Sequence, residues 1–248
     1  MNQESPNSAL TNKTILITGA AGKLGSIAAK ACAKQGATVI LLDKELAKLE
    51  SIYDEITAAG APEPALYPLD LEGANEQHYL ELAETVEREF GMLHGLIHNA
   101  AKFSVLGPVD NINITSWSST MNVNLNAPFL LTRVLLPLMR AADEASVVFT
   151  SDSSARTAKA YWGAYSVSKI AVEAFARILA DELESGGLIR VNTLIPGPID
   201  SPIRKLAFPA ENSNSLSAAE SLEKVYIYLL SSASRGKTGL VFEADSLK

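Results

Sequence analysis

The sequence predicts a single α/β domain: a doubly wound parallel sheet of about seven strands with helices on both faces. Three observations carry this. Short β-branched runs alternate with longer helical patterns, the order that βαβ units produce. The run at 93–98 is apolar on both sides of its two-residue period, as a strand covered on both faces requires. A chain of 248 residues, 47% hydrophobic and 20% charged, is long enough to bury one such core and is not of disordered composition.

The elements follow in order. Residues 1–12 are polar, lack the apolar core of a signal peptide and read as a disordered arm before a domain at 13–248. Strand 14–18 leads to a helix at 24–35, strand 38–42 to a helix at 44–59, and strand 65–69 to a helix at 75–90. Gly36, Gly60 and Gly91 follow these helices, where a left-handed cap is commonly required. Strand 93–98 precedes helices at 116–122 and 127–141, and strand 146–150 precedes a long helix at 164–184. After strand 188–194 the stretch 196–217, rich in Pro, Ser and Asn, reads as a mobile lid. A helix at 218–231 and a strand at 240–242 complete the chain.

Composition excludes several classes of function. A net charge of −7 with scattered Lys and Arg argues against nucleic acid as a partner, which needs a concentrated basic face. No apolar run approaches the roughly 20 residues that span a bilayer, so no membrane partner and a cytoplasmic setting are expected. The lone Cys32 rules out an internal disulfide, and its Ala-rich surroundings suit a buried structural thiol. His78, His94 and His98 have no metal-ligand spacing, so no metal is expected. Neither a G-x-S-x-G elbow nor a Walker lysine is present, which leaves acyl and phosphoryl transfer without support.

The first strand runs into Thr18-Gly19-Ala20-Ala21-Gly22-Lys23-Leu24-Gly25 and then a helix. That order places backbone N–H groups and a positive helix end where a pyrophosphate can sit, the arrangement of a Rossmann-type nucleotide fold. Three further strand ends strengthen the reading. Asp43 closes the second strand where a carboxylate can accept from a ribose diol. Asp70 and Leu71 close the third, beside a place for adenine, and His98-Asn99-Ala100-Ala101 closes the fourth with small residues. Open parallel sheets bind ligands at these ends.

Tyr165 and Lys169 lie four residues apart at the start of a helix, and so on one face. A free phenol titrates near about 10, too high for proton exchange near neutrality. A nearby ammonium and a positive nicotinamide would lower that value. The chemistry expected is hydride transfer with proton exchange at a carbonyl oxygen.

From Thr14 to Ala244 the chain resembles the short-chain dehydrogenase/reductase family. The resemblance rests on Thr18, Gly19 and Gly25 of the glycine turn, Asn99 and Ala100, Val123-Asn124-Leu125, the Tyr165/Lys169 pair, and Pro196-Gly197. Within the family it is most similar to a bacterial subgroup, through His98-Asn99-Ala100-Ala101, Tyr161-Trp162-Gly163-Ala164-Tyr165 and Lys237-Thr238-Gly239. The resemblance implies an NAD(P)-dependent carbonyl/alcohol oxidoreductase with Tyr165 as acid/base. It implies that Lys169 binds the nicotinamide ribose and depresses the Tyr165 pKa, that Asn124 anchors a relay water, and that Ser201 contacts the carboxamide. It also implies a homo-oligomer, dimer or tetramer, through the helices at 127–141 and 164–184.

Three departures matter. Lys23 stands where a second small residue is usual, and either crowds a pyrophosphate or reaches a phosphate. Ala101 replaces a glycine. Asp152 occupies the place of the family's substrate-orienting serine, thirteen residues before the tyrosine, between Ser151 and Ser153. An ionised Asp cannot donate a hydrogen bond to a carbonyl, and it opposes a phenolate. Three accounts stay open. Asp152 stays protonated and donates; a one-residue shift brings Ser153, or Ser151, into the role; or carbonyl reduction is lost, leaving a redox-sensing dinucleotide binder. Asp43 favours NAD over NADP through its charge, with Lys44 and Lys23 as cations that favour the phosphate. The substrate is expected to be a small carbonyl or alcohol near Trp162, Phe103, Leu106 and Phe208.

Overall fold

The computed structural model of the chain describes residues 9–244. Strands β1 (Thr14–Thr18), β2 (Thr38–Asp43) and β3 (Ala65–Pro68) alternate with helices α1 (Lys23–Lys34), α2 (Leu46–Ala58) and α3 (Glu76–Phe90). β4 (Gly95–His98) is followed by α4 (Ile114–Met121) and α5 (Ala127–Arg140), then β5 (Ala145–Thr150), α6 (Ser153–Thr157) and α7 (Gly163–Leu183). β6 (Ile189–Ile195), α8 (Pro202–Ala207), α9 (Glu223–Leu230) and β7 (Val241–Glu243) end the fold. The strands form one sheet of order β3-β2-β1-β4-β5-β6-β7, every pair parallel.

Alternation along β1 shows why these strands read as continuous apolar runs. Ile15 and Ile17 pack beneath α1, α2 and α9 with Ile27, Cys32, Ile52 and Leu229, while Leu16 points the other way, onto Tyr79, Leu131 and Val172 of α3, α5 and α7. Each face is covered, so neither can be polar. Burial pushes the Cys32 thiol up to about 12, which keeps it inert, as its surroundings suggested.

The order reverses between β1 and β4: the chain winds outward to β3, then crosses back to pair His98 with Thr18. The two strands part at their carboxyl ends and leave a crevice, the place where such sheets bind ligands. Thr18 ties its walls together. Its hydroxyl oxygen accepts the N–H groups of both Asn99 and Ala100 at 3.1 Å.

Several expectations are corrected. Of the arm expected at 1–12, residues 1–8 lie outside the described residues, but residues 9–12 are docked: Leu10 is completely buried and its N–H donates to Gln35 O. Leu10→Ala is therefore expected to cost about 2–5 kcal/mol in a denaturant-unfolding measurement, whereas a loss below about 0.5 would show an arm after all. The helices expected at 116–122 and 127–141 are joined through a π-helical stretch, Asn122–Asn126, so α4 and α5 run on without a loop. The supposed loop at 196–217 contains α8, and α6 was likewise unforeseen; both are too short to display a helical period.

Candidate active site

The crevice is a cavity of about 430 Å³ that runs from the glycine turn to Tyr165. At one end Gly19 has φ +65°, and a Cβ there would sit 2.7 Å from Ala100 Cα. A Cβ on Gly25 would sit 2.1 Å from Gly19 O, so the turn folds back on the helix as only glycine permits. Gly25 thus acts from behind the wall, while Gly19, Gly22, Lys23 and Leu24 form it. Gly22 is the N-cap of α1 and offers no side-chain cap, and the first turn carries no acid. Its free N–H groups and positive dipole suit a ligand of opposite charge. Lys23 is half-exposed, with Nζ 3.6 Å from Glu220, and leaves the cavity open.

Asp43, Asp70, Leu71, Asn99 and Ala100 line the same wall. The Asp43 carboxylate is already engaged: Oδ2 accepts the Ala21 N–H at 3.1 Å and Oδ1 the Glu45 N–H at 3.2 Å. It therefore ties the glycine turn to the end of β2. Asp70 Oδ1 accepts the Glu72 N–H at 3.1 Å. Pro196, Gly197 and Ser201 reach the wall from beyond β6, and Ser201 caps α8 by accepting the Arg204 N–H at 3.2 Å.

At the other end α7 presents Tyr165 and Lys169, both buried. Lys169 Nζ donates to Thr150 O at 2.8 Å and lies 5.7 Å from the Tyr165 ring centre. Burial lowers its pKa to about 8, against the opposing pull of Asp152. Asn124 stands behind the pair in the π-helical stretch. Its Oδ1 accepts the Lys102 N–H at 2.7 Å, and its Nδ2 donates to Lys102 O and Ser168 Oγ at 2.9 Å. Ser168 in turn donates to Tyr165 O at 2.7 Å. The helix defect thus locks Asn124 to the backbone beneath the tyrosine.

The three residues around position 152 separate cleanly. Asp152 Oδ2 accepts the Tyr165 hydroxyl at 3.4 Å, and Oδ1 accepts the Ser154 N–H at 2.7 Å, capping α6. Ser151 turns away and donates at 2.6 Å to Glu173, a fully buried carboxylate also held by Arg156. Ser153 is exposed at the first position of α6 and lines the cavity, while the group that meets the Tyr165 hydroxyl is Asp152. The cap fixes this, since Asp152 must precede the helix to reach its free N–H groups. Burial first, then the adjacent Asp152 charge, raises the Tyr165 pKa well above its ordinary value. Lys169 is not among the causes of that rise; its Nζ donates to Thr150 O and has two further N–H groups for a ligand.

The mouth is aromatic. Phe103 meets Trp162 and Tyr165 edge-on at 5.9 and 5.0 Å, and Phe208 lies 5.6 Å from Trp162. Of the four side chains expected nearby, Trp162 and Phe208 line the wall, and Phe103 and Leu106 do not. Sequence reading missed Arg204, which forks onto Glu211 at 2.6 Å and stacks 3.9 Å over Phe208, bracing α8. It also missed Lys102 and Glu72, paired across the cavity at 2.6 Å. Lys102 directly follows Ala101, so its place in the chain was a usable signal; the Arg204–Glu211 pair had none. The histidines serve the fold. His78 completes the cap of α3, His94 accepts the Thr14 N–H, and buried His98 stacks on Phe149.

A nucleotide cradle joined to a buried Tyr/Lys/Asn set defines an oxidoreductase of the short chain dehydrogenase family, and residues 13–212 match that family, so the chain belongs to it. Among its relatives is YciK of Escherichia coli K12, an oxidoreductase 36% identical over 99% of this chain and 96% of its own. A short chain dehydrogenase structure from Pseudomonas syringae is 40% identical, with a TM-score of 0.92, over 98% of this chain and 99% of that one. One from Shigella flexneri 2a, complexed with NADP, is 36% identical with a TM-score of 0.93, over 96% and 99% of the two chains.

Proposed function

We propose that this protein is an NADP-dependent oxidoreductase interconverting a small carbonyl compound and its alcohol, with Tyr165 exchanging the proton at the substrate oxygen. One observation carries the reading: a single cavity runs from the uncapped start of α1 to the Tyr165 hydroxyl. Gly19, Gly25 and the α1 N-terminus suit the pyrophosphate, Asp70 and Leu71 the adenine end, and Asn99, Pro196, Gly197 and Ser201 the nicotinamide end. The bound dinucleotide would supply or accept the hydride. Lys169 would hold its ribose, and Asn124 would fix the backbone under Tyr165. Trp162 and Phe208, which line the cavity, would exclude water from the reacting end, with Phe103 packed against Trp162 and Tyr165.

NADP replaces the NAD expected from Asp43. Each oxygen of that carboxylate accepts a backbone N–H of the glycine turn or of α2's approach, and Lys44 lines the cavity beside it. The NADP-bound Shigella relative supports the same preference. Calorimetric titration with NAD, NADH, NADP and NADPH should show NADPH bound most tightly, and a carbonyl screen with that form should give turnover. NADH bound tenfold more tightly than NADPH would defeat the NADP assignment, and no binding at all would defeat the function.

The contact of Asp152 with Tyr165 favours a second reading, a redox-sensing binder without turnover, which saturable binding and silence across the screen would support. A homo-oligomer is proposed with either, because Val167, Ile170 and Ile178 of α7 and Phe129 of α5 leave large apolar side chains exposed. Among the described residues no helix is long and apolar enough to cross a membrane. A cytoplasmic setting is proposed alongside.

A further inference from the structure

The two oxygens of Asp152 have different tasks. Oδ1 caps α6, and Oδ2 faces the cavity as acceptor of the Tyr165 hydroxyl. A phenol already donating to a carboxylate can take a second proton on its oxygen most easily by completing the first transfer. We propose, resting on the oxidoreductase reading, that Asp152 is a catalytic residue, the terminal proton acceptor when an alcohol is oxidised. It takes the Tyr165 proton onto Oδ2 as Tyr165 takes the proton of the substrate hydroxyl.

The step balances. The substrate O–H bond breaks and a new O–H bond forms at the Tyr165 oxygen. The old Tyr165 O–H bond breaks, and its proton joins Asp152. The carbinol hydrogen leaves with its electron pair to an oxidised nicotinamide dinucleotide, and the C=O bond forms. A carboxylate charge and a pyridinium charge vanish together, so the buried site gains no net charge. Tyr165 stays neutral throughout, which avoids the phenolate that burial and Asp152 both oppose. Reduction runs the same path backwards, with protonated Asp152 refilling Tyr165. Among the described residues, the charged groups set against the pair are Lys169 of α7, bonded to Thr150 O, and Arg204 of α8, forked onto Glu211, with the Lys102–Glu72 ion pair further along the cavity.

Asp152→Asn and Asp152→Ser test this with the fold intact, because Asn and Ser also cap helices but neither takes up the proton. Two readouts apply. The first is tyrosinate absorbance of the ligand-free protein against pH, with the Tyr165 contribution isolated by subtracting Tyr165→Phe. Ionisation should move to lower pH in both variants once the neighbouring charge is gone. The second is the pH profile of alcohol oxidation. At pH 7 kcat of Asp152→Asn should fall at least about tenfold and recover at alkaline pH, where the phenolate forms unaided. Asp152→Ser restores a donor to the substrate oxygen, so it is read by the shape of its pH profile. An unchanged tyrosinate titration would overturn the pairing whether or not a substrate is in hand. An unchanged pH profile in active variants would overturn the proton-acceptor role. A wild-type protein that binds no dinucleotide would instead overturn the oxidoreductase reading.

Discussion

Tyr165→Phe should lower kcat for carbonyl reduction by about 10²–10⁴-fold, the range over which a positioned acid contributes, and leave NADPH affinity within about threefold. The substitution deletes one oxygen. The ring stays where it is, because Phe103 at 5.0 Å and Trp162 at 6.1 Å hold it edge-on and tilted, and its face needs no hydroxyl to pack. The hydroxyl's hydrogen bond to Asp152 is its stabilising contact in the cavity, and Asp152 keeps the Ser154 N–H after the change. Steady-state kinetics alongside a binding titration separates the effects. Turnover within a few fold of wild type would remove Tyr165 from the chemistry. A loss of affinity equal to the loss of kcat would make it a binding residue instead.

The second large effect is expected at Gly25. Its added methyl would lie 2.1 Å from Gly19 O, 2.8 Å from Gly19 C and 2.9 Å from Ala20 Cα. All three are backbone atoms of the turn itself, so no side chain can swing aside to make room. Gly25→Ala should therefore displace the turn, cost about 3 kcal/mol of stability and abolish measurable dinucleotide binding. Gly73→Ala is the control, since a Cβ there meets nothing within 4 Å and the backbone is not left-handed. It should alter stability by no more than about 0.5 kcal/mol. Equal behaviour of the two variants would show that the tight turn is not what forms the site.

The legible part of the site was the part written in short stretches of chain. Strand, glycine turn and helix occur within a dozen positions, and Tyr165 and Lys169 share one helical face by their spacing alone. The carboxyl ends of β1 to β4 align from their order in the chain, and Asp43, Asp70 and Asn99 do lie on one wall. What those residues do there was less accessible. Asp43 reads equally as a ribose acceptor or a turn clamp, and its hydrogen bonds to Ala21 and Glu45 emerge only when β2 lies beside β1.

Chain order and spacing point to the parallel α/β sheet and its crevice, because the physics behind them is local or follows from that order, whereas Asn124, Pro196-Gly197 and Ser201 come only from the family resemblance. Tertiary structure decided the rest. Leu10 is core because Gln35 and the helix above it are there to receive it. Ser151, Asp152 and Ser153 are equivalent in a sequence of polar residues. They part company because a buried Glu173, twenty-two positions away from Ser151, captures Ser151, while the start of α6 claims Asp152 as its cap and leaves Ser153 exposed at the helix's first position. Which polar side chain meets Tyr165 is thus set by contacts between distant segments, and no local pattern encodes them.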